Sequence, residues 1–153
     1  LEGVPVSHLN QIRDSIPIMP GIQALLTHLK QHNWKLAIAS GGFTFFADHL
    51  KARLGLDFAI SNTLAVKNEQ LTGKVEGEIV NADVKARTVN ALAEKWQISA
   101  KQTVAMGDGA NDLVMMAESA LGVACHGKPL VNEKADVAIR IGSLHSLLYF
   151  LDK

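Results

Sequence analysis

The sequence predicts an α/β fold, a doubly wound and mostly parallel sheet that carries one β-hairpin. Short apolar runs of strand length alternate with segments of helical period along the chain. No repeat or low-complexity tract interrupts that alternation. Two polar turns, Ser40-Gly41-Gly42 and Gly107-Asp108-Gly109, fall where apolar strands end. In such folds ligands sit beyond the carboxyl ends of the strands, so these turns are the first functional candidates.

Residues 35–39, Lys-Leu-Ala-Ile-Ala, read as a buried strand that stops at Ser40. A helix over 44–54 follows, with Gly55 placed just past its end. Residues 58–60 form a second strand, and 64–75 read as a hairpin with Asn68-Glu69-Gln70 at its tip and Gly73 near its end. The period of Val89, Leu92, Ala93 and Trp96 predicts a helix over 82–96. Residues 103–106 are a short strand running into the Gly-Asp-Gly turn, and a helix is expected from about Asp112 to Ala120. Strands at 121–125 and 137–139 and a terminal helix over 144–151 complete the pattern.

Composition limits what the chain can do. At 48% hydrophobic and 20% charged, 153 residues suffice for one globular domain with a buried core. Fifteen basic residues balance fifteen acidic ones, which argues against a nucleic-acid or anionic-membrane partner. No apolar run approaches the roughly 18 residues of a membrane span, and no basic-then-apolar start marks a signal peptide. Cys125 has no second cysteine to pair with, so a reducing cytoplasm is the expected setting.

Three groups of residues carry chemistry. Asp108 and Asp112 stand four residues apart, at a strand end and on the first turn of a helix. A hard cation such as Mg²⁺ takes a few carboxylate oxygens, water and substrate phosphate, and Gly107 and Gly109 allow a tight turn. The plain alternative is a polar loop in which Asn111 or Asp112 caps the next helix. At Ser40-Gly41-Gly42 a hydroxyl and amide N–H groups beside a helix start can cradle an anion, or simply cap that helix. Lys85, early on its helix, can neutralise charge in an anionic site or stand in solvent as most lysines do.

The order of these groups alters their weight. A strand-end Ser-Gly-Gly, a helix-borne Lys and a strand-end Gly-Asp-Gly-Ala-Asn-Asp resemble motifs II, III and IV of the haloacid dehalogenase superfamily. The resemblance runs from Ile18 to Lys153 and takes in Met19-Pro20-Gly21, Ala39-Ser40-Gly41-Gly42-Phe43, Leu71-Thr72-Gly73, Asp83-Val84-Lys85-Ala86 and Glu133-Lys134-Ala135-Asp136. It is strongest toward the members that hydrolyse L-phosphoserine. It implies a Rossmann-like core over residues 16–153 and the tail of a helical cap over 1–15, with Val6, Leu9 and Ile12 on one helical face. It further implies a Mg²⁺ cofactor bound by Asp108, with Asp112 as a water-mediated partner. Ser40 and the Gly41 amide would bind phosphoryl oxygens. Lys85 would stabilise nucleophile and phosphate, and Asn111 would help hold the phosphate. The implied reaction passes the phosphoryl group to an aspartate and then hydrolyses the aspartyl-phosphate.

One part of the pattern is missing. The superfamily's nucleophile lies in an Asp-x-Asp motif on the first core strand, and the aspartates here, at 14, 48, 57, 83, 108, 112, 136 and 152, are nowhere spaced by two. The resemblance places that strand between those ending at Ser40 and at Asp108. Leaving it out would strand backbone groups at about a kcal/mol or more each. The expectation is therefore that these residues alone are not a stable active enzyme, and that another segment or chain supplies strand and nucleophile. Oligomeric state stays open, a homodimer included.

Other readings remain: another phosphatase of the superfamily with a different cap, the phosphorylation domain of a P-type ion pump, or a binding module without a nucleophile. The Ser-Gly-Gly turn and the lack of a membrane span speak against the pump. His28 and His32, at i and i+4, could hold a transition metal, but their neighbours look like a solvated face. His126 is expected to be an ordinary loop residue, Cys125 a small core residue, and Met115 and Met116 core packing.

Overall fold

The structure, a computed structural model, describes residues 1–151. They gather into two compact units, residues 1–18 with 26–80, and residues 19–25 with those from 81 onward.

The first unit holds helix α1 (Val6–Ser15), most of α2 (Ile22–Gln31), strand β1 (Ala37–Phe43), α3 (Thr44–Leu54) and strands β2 (Phe58–Lys67) and β3 (Gln70–Glu76). β2 is the central strand, parallel to β1 and antiparallel to β3. The expected strand at 58–60 and the first arm of the hairpin are thus one continuous ten-residue strand. Asn68 and Glu69 make the turn, with φ of 52° and 61°, the geometry of a two-residue type I′ hairpin. The open edge of β3 is covered from within the unit. Gly3 N–H donates to Leu71 O at 2.8 Å, Leu71 N–H to Val4 O at 2.9 Å and Val6 N–H to Glu69 O at 3.0 Å.

Helix α3 has the predicted bounds, and Gly55 closes it in the left-handed region at φ 64°. The apolar face expected on α1 is corrected at one position: Leu9 is buried, but Ile12 is 54% exposed. Six residues are about 1.7 helical turns, so Ile12 falls off the stripe that starts at Val6. Arg13, one residue on, returns to it, and its guanidinium lies 5.2 Å from the Phe45 ring centre.

The second unit holds α4 (Ala82–Lys95), β4 (Val104–Gly107), α5 (Leu113–Glu118), β5 (Leu121–Cys125), α6 (Pro129–Lys134), β6 (Val137–Ile139) and the short α7 (Leu148–Leu151). β4, β5 and β6 form a parallel sheet in that order, with crossovers through α5 and α6. Val123 and Ala124 in the central strand are fully buried, as two-sided cover requires. Met115 and Met116 pack in the core, as expected. The α/β class with parallel strands therefore holds, with the hydrogen-bonded strands falling in two three-stranded sheets. Among the described residues, β1 and β4 each stand at the edge of their own sheet.

Three helices depart from expectation for local reasons. The helix expected from Asp112 to Ala120 begins as a tight turn over Ala110–Asp112 and ends at Glu118. The helix expected over 144–151 is likewise a tight turn, Leu144–Leu147, running into α7. α6, at six residues with Pro129 at its start, is too short to show a period in the sequence.

Glu69 is held in the left-handed region without the freedom of glycine. Glu69→Gly is expected to stabilise the fold by about 1 kcal/mol, read as a higher midpoint in thermal denaturation.

Candidate active site

In the second unit the Gly107–Asp112 turn is built around one carboxylate. Asn81 caps α4, its side chain accepting from Val84 N–H at 3.0 Å, and so sets the helix that carries Lys85. Lys85 Nζ donates to Asp112 Oδ1 at 2.8 Å, with both residues buried. The other oxygen, Oδ2, accepts from the N–H of Asp108 at 3.2 Å and of Gly109 at 3.1 Å. One side chain thereby satisfies an ammonium and two backbone amides. A Cβ at Gly107 would lie 2.5 Å from Asp112 Cβ, Cγ and Oδ2, so only glycine lets the strand end pass this close.

The side chains of Asp108 and Asn111 are not part of this buried network. Both are exposed, and the Asp108 side chain makes no hydrogen bond among the described residues. The Asp108 carbonyl accepts from Lys128 N–H at 3.2 Å, which ties the turn to the loop after β5. Of the residues expected at the metal and phosphate site, Lys85, Asp108, Asn111 and Asp112 are brought together here.

Whether these groups suit Mg²⁺ turns on the donor set. No cluster of three or more His, Cys, Asp or Glu side chains that could hold a metal occurs among the described residues. Both oxygens of Asp112 are engaged, which leaves Asp108 as the free carboxylate of the turn. That set fits an ion that keeps water and substrate oxygens in its shell, and it does not fit a cage of protein ligands.

Ser40 and Gly41 belong to the first unit. The strand was expected to stop at Ser40, whereas β1 continues to Phe43 through a bulge. Ala39 pairs with Ile60 and Phe43 with Asn62, so three residues of β1 face Ser61 alone. Ser40 Oγ accepts from Gly42 N–H at 3.0 Å. Asn62, which the sequence reading did not single out, is buried beside the bulge. Its Nδ2 donates to Gly41 O at 2.9 Å, and its Oδ1 accepts from Val80 N–H at 2.7 Å. A polar Ser-Asn pair following the apolar run 58–60 was the available signal.

The histidines singled out in the sequence make local contacts. His28 and His32 stack at 4.3 Å, and His32 Nδ1–H donates to the His28 carbonyl at 2.9 Å, so one ring nitrogen is committed to the helix end. His126, at φ 51°, donates from Nε2 to Gly142 O at 2.9 Å. Cys125 is buried, and that burial, reinforced by the Asp108 charge, pushes its thiol above the ordinary value.

The family model described as haloacid dehalogenase-like hydrolase matches residues 1–117. A Haemophilus influenzae protein named phosphoserine phosphatase is 46% identical over 151 residues, covering 99% of this chain and 48% of its own. A Vibrio cholerae protein of the same name is 48% identical over 151 residues, covering 99% and 46%. The unliganded crystal structure of the probable phosphoserine phosphatase from Vibrio cholerae superposes with a TM-score of 0.94, covering 99% of this chain and 47% of that one. The chain thus spans about half the length of the curated relatives it matches.

Two outcomes follow from this geometry. Lys85→Met leaves the Asp112 carboxylate buried without its cation, and is expected to cost about 3–5 kcal/mol in urea denaturation. Lys85→Met with Asp112→Asn, which keeps an acceptor for the two amides, is expected to recover much of that loss. For Cys125 the folded state holds its proton after the unfolded chain has released it. Its contribution is therefore in place below the ordinary thiol pKa and is lost as pH rises past it. Between about pH 8 and about pH 10, in chelator-treated buffer, the protein is expected to lose more stability than Cys125→Ala.

Proposed function

The chain belongs to the haloacid dehalogenase-like hydrolase family, and on that footing we propose that it is the ion- and phosphate-holding core of a Mg²⁺-dependent phosphomonoesterase. The proposed reaction converts L-phosphoserine to L-serine and phosphate, the closing step of serine biosynthesis, in the cytoplasm. The observation that carries the reading is the Asp112 carboxylate, held by Lys85 and two amides beneath a glycine turn, with Asp108 left outward. The named relatives at 46% and 48% identity support the substrate.

In this reading Asp108 would hold the Mg²⁺, with Asp112 fixing the turn from behind. The ion would offset the negative charge of the phosphoryl oxygens. An ammonium has three donors, and Asp112 accounts for one of those on Lys85. The others can meet the phosphate and the attacking carboxylate, lowering the repulsion between two anions. The Ser40 hydroxyl and the Gly41 amide would bind phosphoryl oxygens, and Asn111 would help hold the phosphate. The phosphorus–oxygen bond to serine breaks as an aspartate oxygen attacks in line, and water then cleaves the aspartyl-phosphate. The 153 residues contain no Asp-x-Asp, so we place the attacking aspartate on an extended segment from elsewhere. The edges offered by β1 and by β4, each in its own sheet, are suited to pairing with such a segment.

With Mg²⁺ the intact protein is expected to release phosphate from L-phosphoserine faster than from phosphothreonine or sugar phosphates, and EDTA should stop it. Asp108→Asn should lower the rate by about 100-fold or more. Faster turnover of a sugar phosphate would assign the site to another small-molecule phosphatase of the family. Phosphate release by these 153 residues alone, at the intact rate, would refute the external nucleophile.

A further inference from the structure

We propose that Asn62 is the positioning residue of the phosphate cradle at Ser40–Gly42. The proposal rests on the reading that Ser40 and Gly41 bind phosphoryl oxygens.

Asn62 stands beside an interrupted ladder. From Ala37 to Ala39, β1 pairs residue for residue with Phe58 to Ile60. After Ala39 the register slips, and Ser40, Gly41 and Gly42 pass while β2 advances by Ser61 alone. A ladder interrupted this way leaves main-chain groups in need of other partners. Gly42 N–H turns to Ser40 Oγ, and the Gly41 carbonyl takes Asn62 Nδ2. Asn62 is able to give that hydrogen because its carboxamide is itself anchored. Oδ1 receives Val80 N–H at 2.7 Å, which also fixes which end of the amide is the donor.

The side chain is buried, and its two bonds run to backbone on both sides, so its rotamer is fixed by the strand that bears it. The Gly41–Gly42 peptide plane is therefore held by a group that never touches phosphate; it hinges at Gly41 Cα on the plane that carries the Gly41 N–H, and its own N–H donates to Ser40 Oγ. A few tenths of an ångström in an amide donor, or a modest rotation of its plane, weakens a charge-assisted hydrogen bond steeply. A fixed cradle binds phosphate more tightly than one that must be ordered on each encounter. Neighbouring Ser61 provides the contrast. It is as deeply buried, yet its hydroxyl has no hydrogen-bond partner, so it does none of this anchoring.

The test titrates the intact protein with inorganic phosphate and follows the amide signals of Gly41 and Gly42. Asn62→Ala is expected to weaken phosphate binding about tenfold, a loss comparable to one hydrogen bond, and to shift both amide signals before any phosphate is added. Ser61→Ala should leave affinity and signals unchanged. Thr72→Val, which removes the hairpin bond to Ala65 O, serves as a variant destabilised away from the cradle and should bind phosphate as the parent does. Unchanged affinity in folded Asn62→Ala, or an equal loss in Thr72→Val, overturns the positioning role. Ser40→Ala separates the two levels: if it too leaves affinity unchanged, the cradle reading itself fails and this proposal falls with it.

Discussion

The Gly107–Asp112 turn depends on one buried ion pair. With Lys85 on one oxygen and two backbone amides on the other, Asp112 fixes the path of the chain from the end of β4 into α5. The net stabilisation from such a pair is small or even negative, because both ions leave water. Its effect here is geometric. A carboxylate held at both oxygens cannot swing outward, so Asp112 stays buried while Asp108 and Asn111 of the same turn are exposed. The absence of a side chain at Gly107 is the steric counterpart of that arrangement.

The first unit solves a related problem with a neutral group. Where β1 leaves its ladder, Asn62 takes over as donor to a main-chain carbonyl and as acceptor for a main-chain N–H. Both turns are thus shaped by polar side chains acting as substitutes for backbone partners. Each is buried, and each is satisfied on two sides. Buried polar groups in this state restrict the backbone more than apolar packing does, because a displaced partner leaves a desolvated donor or acceptor behind.

What could be read in advance was local. α3 ends where Gly55 says it should, and β5 and β6 keep their predicted bounds, because each is a short apolar run between clear terminators. The bulge at Ser40–Gly42 was read as a strand end, since glycines announce irregularity without saying whether the strand resumes. Lys85 as a buried residue could not be read from its own neighbourhood, because its partner lies 27 residues on. The same distance hid the engagement of both Asp112 oxygens, which decides that Asp108 alone offers a free carboxylate there. Ile12 and Arg13 exchange places relative to expectation because a pattern of three apolar residues samples the helical period too coarsely.

The double pairing of β2 also bears on how the chain assembles. Its antiparallel partner β3 is reached through two residues, whereas its parallel partner β1 lies on the far side of α3. Short loops close in well under a microsecond and hairpins within microseconds, while pairings across a helix wait on a larger loss of chain entropy. The hairpin can therefore form first and hold β2 extended, a ready template on which β1 and its bulge dock. The residues that shape the Ser40–Gly42 bulge would then be ordered late, on a strand already straightened by the hairpin.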